Sequence, residues 1–221
     1  MPPPIVRQGV NIVIRGQFNP AIFHPAWFQA QKLVRGQEAE AAKVEVIQQN
    51  AAIFAMEWLQ VQIVSDRFQV GTTQEAFYEP LRDLVLGVLD ILNHTPLTVM
   101  GLNRDFHFRL ESEKAWHSVG HRLAPKEDWQ GILADPGLMS LTMQGKRPDR
   151  SSGYVQVKVE PSAQVQYGVY IEVNDHYELR STPETTAPPS EALKILAEQW
   201  SASMQRGLEI ANKIARLGEA R

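Results

Sequence analysis

Over residues 190–217, apolar side chains recur at Leu193, Leu196, Trp200, Met204, Leu208, Ala211 and Ile214. Steps of three and four gather these onto one side of a helix, and a stripe that long must be buried against something. Gly207 interrupts it and lowers helix propensity by roughly 1 kcal/mol relative to alanine. A second stripe, Leu81, Leu84, Val85, Val88, Leu89 and Leu92, predicts another helix over residues 78–92. Pro80 is compatible with it only in the first turn. Two greasy-sided rods in one chain need a shared apolar surface, and the rest of the sequence supplies the pattern of a sheet.

Val10, Ile12 and Ile14 alternate with Asn11, Val13 and Arg15, which predicts a strand over residues 10–18 closed by Asn19-Pro20. A short helix over residues 25–34 follows, opened by Pro25 and ended by Gly36, and residues 38–42 read as a polar, solvated stretch. Long strands are predicted over residues 44–56 and 59–70, the second broken at Asp66-Arg67. Further strands are predicted over residues 97–110, 138–144, 154–160 and 167–179, with a helix over 112–123 and a stiff Thr/Pro-rich linker over 181–189. The fold class is α+β: a mainly antiparallel, twisted sheet of six to eight strands with two long helices packed on one face. At 221 residues the chain fits one domain. Its halves, residues 5–93 and 97–217, rhyme as strand, short helix, paired strands and long helix, so two similar fused halves are a live alternative to two ordinary ones.

Composition narrows the function classes. Apolar residues make up 43% and charged residues 21% of the chain, enough for a packed core. The net charge of -3 argues against a protein that grips a phosphate backbone, so no nucleic acid is expected as a partner. There is no cysteine, which removes disulfides, thiolate metal sites and thiol catalysis. No basic n-region and apolar h-region follow Met1, and the longest apolar run is too short to span a bilayer. The expectation is a cytoplasmic protein with no membrane partner and no cofactor.

Three constellations are candidates for chemistry. His117 and His121 stand four apart on a helix, the spacing of two ligands to one divalent ion, with Asp105 or Glu111 as a third. The glutamate of a zinc-protease helix is missing, since Ser118 follows His117. Asp105 and His107 share one side of a strand and form a possible acid–base or binding pair, while Arg104 points to the other side. Asp66-Arg67 and Asp175-His176 sit at similar places in the two halves, where breaks in strand periodicity suggest β-bulges that re-aim side chains. Gly145-Lys146-Arg147 does not complete a phosphate loop, and Lys146, Arg147 and Arg150 read as a solvated basic turn.

The blocks FNPAIFHPAWF (residues 18–28), LNRDFHF (102–108), APKEDW (124–129), VKVEPS (157–162) and NDHYEL (174–179) resemble those of an uncharacterised bacterial family. The resemblance covers nearly the whole chain and implies a bacterial cytoplasmic protein, with no activity or site attached. The leading expectation is a non-catalytic binding or adaptor protein, a homo-oligomer or a subunit of a larger assembly. Its C-terminal helix could dock on a partner as easily as on its own sheet, and Arg104, Asp105, His107, Asp175 and His176 are the candidate binding residues. The alternatives are a metal-dependent hydrolase built on His117 and His121, and a chaperone-like peptide-holding module.

Overall fold

Alternation in the first strand decides the two sides of the molecule. In β1 (Ile5–Gly16), Val10, Ile12 and Ile14 are fully buried, while Asn11, Val13 and Arg15 point the opposite way. The computed structural model describes residues 3–149, 151–179 and 186–219. After β1 come α1 (Pro25–Ala30), α2 (Gly36–Glu40), β2 (Lys43–Ile47), β3 (Ala51–Ala55), β4 (Gln60–Val64), β5 (Arg67–Thr72) and α3 (Tyr78–Ile91). The second half runs β6 (Leu97–Arg109), α4 (Glu113–Leu123), β7 (Leu141–Lys146), β8 (Gly153–Pro161), β9 (Gly168–Glu178) and α5 (Pro189–Ala215).

The nine strands of the described residues join one antiparallel sheet in the order β2-β3-β4-β5-β1-β6-β9-β8-β7. Each half follows the same rule: its first strand pairs with the last strand of the meander that follows. The halves meet where β1 lies against β6, with Asn11 opposite Asn103. Because the two first strands pair with each other, neither half leaves that edge unpaired.

The predicted strands over residues 44–56 and 59–70 are each a hairpin. A turn around Gln48 to Asn50 splits the first, and a turn at Ser65-Asp66 splits the second. The break in periodicity at Asp66-Arg67 is therefore a chain reversal and not a bulge. Asp175 lies inside β9, opposite Leu102, so it occupies no equivalent place. Gly36–Glu40 form α2, so Gly36 opens a helix and the stretch over residues 38–42, expected to be solvated, begins inside it; Glu38 reaches back to the backbone N–H of Arg35 and also accepts from Trp58 Nε1.

Both long helices lie on the side of Val10, Ile12 and Ile14. Trp200 of α5 is fully buried and donates through Nε1 to Glu79 of α3 at 2.8 Å. The buried line of α5 is Ala192, Leu196, Trp200, Ser203, Gly207, Ala211 and Ala215, rotated from the expected stripe toward small residues. Small side chains let the helix approach β6 closely. A Cβ on Gly207 would stand 3.3 Å from the Arg104 side chain, so this glycine makes room for a buried arginine. With its apolar line spent on its own sheet, α5 is not a free docking helix. Among the described residues no helix is long and apolar enough to cross a membrane.

Candidate ligand-binding face

Among the described residues no helix covers the opposite side of the sheet, and its chemistry is unusual for an exposed pleated surface. One register row crosses the sheet through Gln60, Gly71, Asn11, Asn103, Asn174, Gln156 and Gln144. With strands about 4.8 Å apart, this is a belt of carboxamides, interrupted only at Gly71, that each both donate and accept. Asn103 Nδ2 donates to Asn11 Oδ1 at 3.1 Å across the junction of the halves. Asn174 Oδ1 is buried without a hydrogen-bond partner. In the next row Gly101 stands between Val13 and His176, and His176 stacks on Tyr154 with ring centroids 4.1 Å apart and planes 10° from parallel. Asn11, Asn103, Asn174, Gly101, His176 and Tyr154 line a depression of about 460 Å3. Burial lowers the basicity of His176, so its ring is held toward the neutral form.

Carboxylates flank the belt on one side. Asp105 sits beside Glu172, and burial followed by that like charge raises its pKa above the ordinary carboxylate value. Gly9 permits this, because a Cβ there would lie 2.7 Å from Asp105 Oδ2. His107, only 6% exposed, contacts Ser162 Oγ through Nδ1 at 2.8 Å and packs against Tyr170. Ser162 Oγ already accepts from the backbone N–H groups of Gln164 and Val165. Its own hydrogen is therefore the one shared with His107 Nδ1, and burial with Arg7 nearby keeps that ring's pKa low. The serine caps a turn and the histidine reads it. Tyr170 donates to Glu172 at 2.9 Å.

The other two candidate binding residues face the helices. Arg104 donates to Met204 O at 3.0 Å and Gln8 Oε1 at 2.7 Å, and lies over the Phe106 ring at 4.6 Å. Asp175 is clamped between Arg147, at 2.5 Å, and Arg206. Asp149 also takes two bonds from Arg147, which pulls its carboxyl down to about 2. Arg147 stacks 3.6 Å from the Tyr177 ring centroid. It is a buried structural arginine, not part of a solvated turn.

His117 and His121 are both about half exposed and lie beside Glu113 and Glu127, at 3.7 and 3.4 Å. The structure brings neither Asp105 nor Glu111 to them. Among the described residues no three His, Asp or Glu side chains are placed to share an ion.

Of the five candidates, then, Asp105, His107 and His176 reach the open face, and Arg104 and Asp175 do not. Sequence reasoning passed over Asn11, Asn103 and Asn174. A signal existed: each is the single asparagine of its strand, on the parity opposite the apolar core residues. No family model matches the chain, and no curated protein is significantly similar to it.

Proposed function

We propose that this chain is a non-catalytic binding protein of the bacterial cytoplasm whose ligand surface is the helix-free face of its sheet. The observation that carries the reading is the carboxamide belt through Asn11, Asn103 and Asn174, sunk in a depression with one buried amide oxygen left unpaired. An unpaired buried acceptor costs stability, and a ligand donor relieves it once the Asn174 amide turns outward into the depression that it lines. The polar groups suited to acid–base work support a structural role instead, since the Ser162 hydroxyl is committed to a turn and to His107.

The test is thermal-shift screening of a small-molecule library against the native chain and an Asn11→Ala/Asn103→Ala/Asn174→Ala variant. A true ligand raises the Tm of the native chain by mass action and leaves the variant unmoved. If every stabilising compound acts equally on both proteins, binding lies elsewhere and the reading falls.

Self-association forms the second part of the reading. β7 is an edge strand, and Ile132, Leu133, Met139 and Met143 around it are more than half exposed. An open edge beside apolar side chains favours pairing with another chain. Light scattering that returns a strict monomer at high concentration would remove this part and leave the first intact.

A further inference from the structure

Within the open face, we propose that the gap over Gly101 is a slot for a single nucleobase, presented by a free nucleoside. This rests on the reading of that face as the ligand surface. Gly101 lies between Val13 and His176 in one register row, so the flanking side chains stand two strand spacings apart, roughly 9–10 Å, over a bare floor. His176 and Tyr154 occupy neighbouring strands and stack nearly parallel, so their ring normals run from strand to strand. The second face of His176 is consequently turned toward the space above Gly101. A flat ring standing there extends a two-ring stack to three and closes against the Val13 methyls.

The slot has a polar edge suited to a base. Around the position a Cβ would take on Gly101, the nearest atoms are Asn174 Oδ1 at 3.1 Å and Asn103 Nδ2 at 3.5 Å. The first is the buried acceptor that lacks a partner, and it meets a base when the Asn174 amide turns into the depression. The second spends one hydrogen on Asn11 Oδ1, and its other is held only by a 3.5 Å contact to the Asn11 carbonyl. One acceptor and one donor side by side are the complement of a base edge, where an N–H and a ring nitrogen or carbonyl adjoin. A side chain at position 101 would stand in this space.

Charge argues for a nucleoside over a strand. Arg15, on the other side of Gly101 from the amides, is already paired with Asp66, and Asp105 and Glu172 lie beyond the belt. Those carboxylates repel a phosphate backbone, and among the described residues no row of cations tracks across the belt to hold one, since Arg67 lies beside Arg15 at one side of it.

Isothermal titration with adenosine, cytidine, guanosine and uridine, alongside methyl glucoside and a mixed-sequence single-stranded oligonucleotide, tests the slot. At least one nucleoside should bind saturably. Gly101→Val should weaken it at least about tenfold, and His176→Ala and Asn174→Ala several-fold each, as expected for lost stacking and one lost hydrogen bond. Far-UV circular dichroism checks the fold of each variant, and Asn174→Ala, which only removes atoms, serves if Gly101→Val misfolds. The proposal is overturned if no nucleoside binds saturably, or if these substitutions leave binding unchanged. Binding of methyl glucoside alone, lost in Gly101→Val, would overturn the base while sparing the open face as a ligand surface. An oligonucleotide that binds far more tightly than its nucleosides, with steep salt dependence, would overturn the free-nucleoside source.

Discussion

The two halves obey one strand order but are held together by different chemistry. In the first, aromatic rings fill the space between helices and sheet: Phe68 packs on Phe18 and Phe23, each at 5.8 Å, and Phe28 packs edge-on against Phe54. In the second, the small residues of α5 sit close on β6 and β9, and the space beyond is closed by the buried pair Arg147 and Asp175 with the partly buried Asp149 and Arg206. There the helix layer stops short, and Met139 and Met143 remain exposed. Apolar packing adds up contact by contact and tolerates some disorder. A buried ion cluster is all-or-none, because removing one partner strands the others without solvent. A chain using both is expected to fail in two distinguishable ways.

The largest effect is expected at the aromatic cluster. Phe68→Ala removes a fully buried ring from the centre of the first half and should cost about 4 kcal/mol in urea unfolding. A loss below about 1 kcal/mol would mean that the rings are not the organising element there. Next, Asp175→Asn leaves Arg147 and Arg206 facing one another and should cost about 3 kcal/mol. If the loss is as small as that of an exposed ion pair, the contrast between the halves disappears. The smallest effect is pH-dependent. Asp149 is held at about 2 by its bonds to Arg147, below its ordinary value of 3.8, so its contribution is complete above that ordinary value. It is lost as pH falls through the folded value, between about pH 4 and 2. Asp149→Asn should flatten the acid limb of the stability curve in that window, measured by urea midpoints. An unchanged limb would place the acid-sensitive contacts elsewhere.

Much of the architecture is legible from periodicity. The alternation in LNRDFHF puts Arg104 on the side of Leu102 and Phe106 and puts Asp105 with His107 on the other side, as the strand requires. The limits of α3 and β6 also follow from the apolar spacing, with Pro80 and Pro96 as punctuation. The hairpin turn at Ser65-Asp66 was not legible as such, because a break in alternation looks the same whether the strand bulges or reverses. The burial of Arg147 was equally hidden: a basic residue in a polar loop gives no sign of partners 28 and more positions away.

The sequence alone therefore determined which residues are apolar, at what period, and hence that helices and strands share one core. Only the tertiary structure decided which side of the sheet stays bare. A strand has two faces in strict alternation, but nothing local says which one the helices will cover or which strands will be neighbours. Asn11, Asn103 and Asn174 are scattered through the chain and become a belt only when three strands from two halves fall into register.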